Sequence, residues 1–282
     1  MRILSFDIEE WFHLLDHSYT ENYRNWDNFD CRIHDNMEII FKLLKKKKIK
    51  ATFFIVGWIA KKYPEIIKKI DQQGYEIGSH THMHQLLYNQ SRKQVDEDLK
   101  RSIFYLNNLI GKEIKCFRAP GFSIREDNKW VFEILVKNGI KIDSSIFPAD
   151  RAHGGFASFT SSTPSLIYYK DFSIKEFPIN KFNILNFSFI FSGGGYFRVS
   201  PYNFIKHFTK KSNYVMSYFH PRDFDINQPI IKGLSPLRIF KSYVGLKSTK
   251  YKLEKWVDDF KFIDLREANK VVDWKSVPKI YL

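Results

Sequence analysis

Tyr75-Glu76-Ile77-Gly78-Ser79-His80-Thr81-His82-Met83-His84 decides how this chain is read. A short β-prone run leads directly into histidines, so polar side chains stand where a strand ends. His80 and His84 are two imidazoles four residues apart. With a carboxylate from a distant strand end they make a 2-His-1-carboxylate metal site with open positions for water and substrate. The N-terminus offers that carboxylate in Phe6-Asp7-Ile8-Glu9-Glu10, where the apolar run Ile3 to Phe6 ends in acids. A second carboxylate beside such a site could take a proton from the bound water.

The same pattern extends outward. Lys50 to Gly57 is a strongly β-prone run closed by glycine. Before it, Asp35 to Lys48 has helical periodicity, with Met37, Ile40, Phe41 and Leu44 on one face. A helix is expected over 59–73, ending near Gly74, and another over about 91–110. Ile114 to Phe117 then reads as a strand ending at Arg118. A helix near 127–138 precedes Gly139 to Ile142, which ends at Asp143. Later strands are expected near 173–177, 214–219 and 260–264, while 223–250 reads as a long surface connection. Strands alternating with helices imply a mostly parallel sheet. Six or seven such units, with polar residues at the strand C-terminal ends, indicate an α/β fold of the (β/α) barrel kind. No linker, repeat or low-complexity segment interrupts it. Residues 1–282 are therefore read as one domain, with a core over 1–222 and C-terminal connecting and closing elements over 223–282.

At 282 residues the chain can bury a substantial core, and 17% aromatic residues suit a packed protein with stacking surfaces for sugar rings. The net charge of +14 raises nucleic acid as a partner. However, Lys45-Lys46-Lys47-Lys48 and the nearby lysines interleave with Ile, Leu and Tyr at helical spacing. They read as solvated helix faces, and no nucleic-acid motif accompanies them. The charge leaves room for peripheral contact with an anionic membrane. Cys31 and Cys116 form no motif and read as thiols in a reducing compartment. The chain enters a strand at once, without a signal-peptide core, and no run is long enough to span a membrane. These features suggest a cytoplasmic protein working at or near the inner membrane face.

Five short motifs stand in an order that resembles the polysaccharide deacetylases, the NodB-homology group or carbohydrate esterase family 4. They are Phe6-Asp7-Ile8-Glu9-Glu10-Trp11, His80-Thr81-His82-Met83-His84, Phe117-Arg118-Ala119-Pro120-Gly121, Asp143-Ser144-Ser145-Ile146-Phe147-Pro148 and Met216-Ser217-Tyr218-Phe219-His220-Pro221-Arg222. Ala51-Thr52-Phe53-Phe54 and the stretch Gly193-Gly194-Gly195-Tyr196-Phe197-Arg198 are similar to members associated with exopolysaccharide and O-antigen synthesis. The resemblance implies a deformed barrel of about seven parallel strands. It also implies Asp7 as general base and Glu9, His80 and His84 as ligands of a divalent metal: zinc, with cobalt or another ion as alternatives. The chain departs from the family's adjacent Asp-Asp form, so Glu10 stays open as the carboxylate ligand. On a strand Asp7 and Glu9 point the same way and Glu10 the opposite way, which favours Glu9. The histidine spacing suits one face of a helical turn; His82 falls off that face and reads as a surface or supporting residue.

By the same resemblance Arg118 pairs with Asp7 and orients it. Asp143 hydrogen-bonds His220, and His220 is the general acid that protonates the leaving amine. Pro120 has no N–H, so the Gly121 N–H is the expected oxyanion donor. Trp11 and Tyr196 offer stacking, and Arg151-Ala152-His153-Gly154-Gly155 brings His153 to the rim. The fourth motif lacks the Trp of many members, which leaves the neighbouring pocket's shape open. The implied reaction is metal-dependent hydrolysis of an N-acetyl group on an amino sugar carried by a nucleotide, a lipid or an oligosaccharide. The alternatives are an amidase for a non-sugar, ureide-like amide and a non-catalytic sugar-binding homologue.

Overall fold

Phe53, Phe54 and Ile55 are wholly buried because their strand is covered on both faces, the condition that makes parallel strands read as unbroken apolar runs. The computed structural model describes residues 1–15, 17–151, 153–184 and 187–282. Its strands, in chain order, are β1 (Arg2–Ile3), β2 (Ser5–Ile8), β3 (Thr52–Ile55), β4 (Glu76–Ser79), β5 (Cys116–Phe117), β6 (Ile142–Asp143), β7 (Ser165–Tyr169), β8 (Phe172–Glu176), β9 (Phe182–Ile184), β10 (Phe187–Phe189), β11 (Val215–Met216) and β12 (Lys279–Tyr281). An eight-stranded sheet runs β12-β7-β8-β6-β5-β4-β3-β2. From β2 to β8 every neighbour is parallel; β7 turns back antiparallel on β8. On the other side β11 runs parallel to β1, and a bridge from Phe6 to Phe219 carries it along β2. Seven parallel rows, β11 to β8, thus form the expected deformed barrel.

The curvature follows from Arg118. In a flat sheet β5 and β2, three positions apart, would lie about 14 Å from each other. Yet Arg118, just after β5, donates from Nη1 to Ser5 Oγ at 2.8 Å and from Nε to Ser144 O at 3.0 Å. Ser144 Oγ in turn donates to Phe177 O beyond β8, and Ser5 Oγ donates to Ser217 O beyond β11. One guanidinium and two hydroxyls therefore tie the ends of the arc across its interior. Past the arc, Tyr218 pairs with Gly193. A Cβ on Gly193 would lie 2.1 Å from Tyr218 O, so this approach requires glycine.

Three sequence expectations need correction. The helix over 59–73 is two helices, Gly57–Lys62 and Pro64–Gln72, because Pro64 has no N–H to continue a helix but suits its first turn. The strand near 260–264 is a single bridge, Ile263 to Ile3. The surface connection 223–250 contains Pro236–Tyr243 and the start of Leu246–Asp259. Its signals were Ser235, whose hydroxyl accepts from Arg238 N, and Pro236 at the first helical position. Among the described residues no helix is long and apolar enough to cross a membrane.

Candidate active site and metal centre

The polar residues gather at the C-terminal ends of the parallel strands. Asp7 lies in β2 and Glu9 just beyond it; His80 directly follows β4, Arg118 follows β5, and His220 follows the row of β11. One ligand atom from each of Glu9, His80 and His84 lies within 4.8 Å of the others, all three buried. Arg118 O accepts a hydrogen bond from His80 Nδ1 at 2.7 Å. A carbonyl can only accept, so Nδ1 carries the proton and Nε2 keeps its lone pair for a cation. Burial lowers the His80 pKa to about 4, which keeps the ring neutral. Burial would raise the Glu9 carboxyl, but His84, 2.6 Å away through Nε2, and His220 hold it well below its usual range. Two imidazoles and one ionised carboxylate in a buried pocket fit a divalent metal.

The histidines do not ride on a helical turn. They lie in a loop in which Thr81 and His84 both have positive φ (63° and 50°). Asp98, from helix Arg92–Ile110, holds that loop by accepting from His82 N at 2.6 Å and Met83 N at 2.9 Å, and Thr81 Oγ1 accepts from His84 N. His82 is buried and stacks on Tyr105, outside the metal cluster, so it is not a surface residue. Glu10 also points away. Its carboxylate accepts from Arg32 N and Ile33 N, both at 2.8 Å, and so caps helix Ile33–Lys47. Glu10→Ala is expected to lower stability by about 1–2 kcal/mol and leave metal content unchanged, read by denaturant melts alongside metal analysis.

Arg118 and Asp7 are joined at 2.8 Å, both buried. Asp143 does not partner His220. It receives the Ser145 hydroxyl and lies in register opposite Glu176 on β8. Burial pushes both of these carboxyls up, Glu176 further than Asp143, so the pair shares a proton inside the barrel.

The partner of His220 is Asp223, which the sequence reading passed over. Asp223 Oδ2 accepts from both His220 N (2.8 Å) and His220 Nδ1 (3.0 Å), and Arg198 Nε pairs with Asp223 Oδ1 at 3.1 Å. The signal was local: a histidine, a first-turn proline and an aspartate three residues on form a reciprocal cap. This leaves His220 Nε2 facing Asp7 Oδ2 and Glu9 Oε1, each at 3.9 Å. Burial alone would lower the His220 pKa; Glu9, Asp223 and Asp7 more than reverse that, to about 9. The ring is thus an imidazolium at neutral pH, and the acid form is lost as pH rises through that value. A cation on Glu9 would cancel part of the rise. Asp223→Asn is expected to move the alkaline limb of kcat down by about one pH unit or more, with little change in KM, in a pH–rate series.

A groove of about 670 Å³ opens from Glu9 and His220 and is lined in part by His153 and Tyr196. Ala152, in the stretch read as its rim, lies outside the described residues. Trp11 is not a stacking surface: it is 5% exposed, packs edge-on against Phe12 and Phe29, and donates to Asp30 O. Gly121 sits in a tight turn after Arg118 with φ 60°, where a Cβ would lie 2.8 Å from Leu15 Cδ1 and 3.2 Å from His153 O. His13, also missed, is buried beside the cluster, its ring 5.7 Å from that of His84.

Residues 23–141 match the family model described as polysaccharide deacetylase. The likeness to that family thus covers less than half of the chain. Residues 144–270 match a second model, a domain of unknown function, DUF3473. Among curated deacetylases, this chain is similar to a peptidoglycan-N-acetylglucosamine deacetylase of Bacillus cereus, 36% identical over 95 residues, or 33% of this chain and 34% of that one. It is also similar to a peptidoglycan deacetylase of Helicobacter pylori (31% over 111 residues; 39% and 37%) and to chitin deacetylase 1 of Saccharomyces cerevisiae (37% over 79 residues; 28% and 26%). The matches with the two bacterial enzymes thus span little more than a third of those relatives' length. The fold is shared with a solved Mycobacterium smegmatis structure assigned to the polysaccharide deacetylases, TM-score 0.67 at 14% identity, covering 100% of this chain and 92% of that one. It is shared as well with a CE4 family pseudoenzyme from Bacillus anthracis, TM-score 0.53 at 12% identity, covering 100% and 69%.

Proposed function

We propose that this chain hydrolyses the N-acetyl group of an amino sugar in a glycan or glycan precursor. One observation carries the reading: Asp7 and His220 face each other at 3.9 Å beside the Glu9–His80–His84 donor set. Zinc bound there, or cobalt or another divalent ion, would polarise the acetamide carbonyl and lower the pKa of water toward about 7. Asp7, oriented by Arg118, takes the proton from the attacking water. The Gly121 N–H is assigned to the oxyanion. His220, held by Asp223, protonates the departing nitrogen, so acetate and a free amine leave. The names of the curated relatives, peptidoglycan and chitin deacetylases, support an amino-sugar substrate.

The carrier is a nucleotide, a lipid or an oligosaccharide. Two unpaired cysteines, Cys31 and Cys116, suit the cytoplasmic side of the inner membrane, and the net charge of +14 suits contact with its anionic face. We treat 1–282 as one working unit, which the pairing of β12 with β7 and of Ile263 with Ile3 supports. Because one structural neighbour is a pseudoenzyme, fold alone does not decide catalysis. The filled positions Asp7 and His220 favour it. Acetate release should be followed from chito-oligosaccharides and from nucleotide- and lipid-linked N-acetyl sugars, with zinc or cobalt, a chelated control and His80→Ala. Metal-dependent acetate from one class supports the reading. No acetate from any, with metal bound, overturns it in favour of another amide or a binding role.

A further inference from the structure

The groove beyond His220 encloses the volume of a drug-sized ligand, more than the reacting acetamido group fills. Its wall changes chemistry along its length. Near the catalytic end it is basic. Arg222 is 8% exposed; its Nη1 donates to Trp11 O at 3.3 Å, and its Nη2 is buried with no partner among the described residues. Arg151 Nη1 is likewise buried and unpartnered, its guanidinium lying 4.4 Å from the Phe147 ring centroid. Asp223, which also lines the groove, is engaged by His220 and Arg198; Asp150 is a further acid there. A buried guanidinium N–H without an acceptor is costly, and the group that satisfies two such forks is a phosphate or diphosphate.

Farther out the wall is apolar. In helix Pro236–Tyr243, Ile239 and Tyr243 pack on the Trp11 cluster. Leu237, Phe240 and Lys241 share the opposite stripe by their spacing. Leu237 and Phe240 are 63% and 57% exposed. Tyr196 and Val199 (43% and 53% exposed) face the same groove from helix Gly194–Val199. Arg198 fixes the two helices together by donating to Lys241 O and Ser242 O. This exposed apolar strip, flanked by Lys241, continues directly from the arginines.

We propose that the groove takes an amino sugar joined through a diphosphate to an isoprenoid chain, presented at an anionic lipid surface. The acetamido group lies at His220, the diphosphate at Arg222 and Arg151, and the first isoprene units over Tyr196, Val199 and Phe240. The assignment rests on the deacetylase reading above. A nucleotide shares the diphosphate, but Val199, Phe240 and Val244 make the outer wall largely apolar, with Arg238, Lys241 and Ser242 the polar side chains there. Binding of farnesyl diphosphate to the full chain, with metal chelated, is measured by calorimetry beside pyrophosphate, farnesol and UDP-N-acetylglucosamine. Farnesyl diphosphate is expected to bind at least about tenfold tighter than the other three. Phe240→Ser should remove that advantage while leaving pyrophosphate affinity within about threefold. Arg222→Gln should weaken both diphosphates about tenfold, with Arg222→Lys recovering part and melting temperatures checking the fold. Equal or tighter binding of the nucleotide sugar, or no effect of Phe240→Ser, overturns the proposal. Equal turnover of a neutral chito-oligosaccharide and an isoprenoid diphosphate-linked N-acetyl sugar overturns it too, yet leaves the deacetylase reading standing. Absence of acetate from every substrate, with farnesyl diphosphate bound, overturns instead the deacetylase reading and the substrate built on it.

Discussion

Asp7→Asn is expected to lower kcat by about three orders of magnitude, within the range a positioned general base contributes, while metal content stays near that of the parent. The shape is preserved. Asp7 is 2% exposed, and its Oδ1 receives Arg118 Nη1 at 2.8 Å. The amide oxygen of asparagine can keep that bond, which turns the amide nitrogen toward His220 Nε2, where Oδ2 stood at 3.9 Å. The variant therefore cannot take a proton from water. It also removes one of the charges that raise His220, so the alkaline limb of any residual activity should move to lower pH. Acetate release and metal analysis on the same preparation check this. Activity within about tenfold of the parent would take the base role from Asp7, and loss of metal would make it a ligand.

What the sequence disclosed, and what it concealed, follows from the range of each interaction. Ile3 to Phe6, Lys50 to Gly57 and Ile114 to Phe117 announced buried parallel strands because both their faces are covered, and the residues following the first and third of these, with those following β4, carry the site. Asp7, Glu9, His80, His84 and Arg118 came together as their positions at strand ends require. Asp143 misled because its partner is set by register. It stands opposite Glu176, 33 residues later, after the chain has passed through β7 and turned back into β8. Nothing local in Asp143-Ser144-Ser145 signals that pairing. The Asp223 cap was local and legible, yet it fell just past the motif that drew attention. Trp11 shows another limit: an indole beside catalytic acids suits a sugar platform or a core equally well, and only the packing of Phe12 and Phe29 against it decides. Helix Pro236–Tyr243 had its start marked by Ser235 and Pro236, but its burial was not legible, because Ile239 and Tyr243 pack inward while Leu237 and Phe240 stand exposed.

His80→Ala should cost more than about 100-fold in metal affinity, beyond the loss from removing a group that merely orients a ligand, and turnover should fall to the level of the chelated parent. Three histidines share one five-residue stretch, so the prediction is selective. His80 has its Nδ1 fixed by Arg118 O, and His84 meets Glu9 at 2.6 Å. His82 stacks on Tyr105 at 5.4 Å with its ring turned from the cluster. His82→Ala should therefore lower the melting temperature through lost packing while retaining one metal per chain, and His80→Ala and His84→Ala should each lose it. Competition of each variant with a chromogenic zinc chelator measures the difference directly. If His82→Ala lost the metal as fully as His80→Ala, the loop held by Asp98, not the two imidazoles, would be what fixes the cation. If all three kept it, Glu9 and its neighbours would not be the metal centre, and the acid–base pair of Asp7 and His220 would have to act on an amide without that assistance.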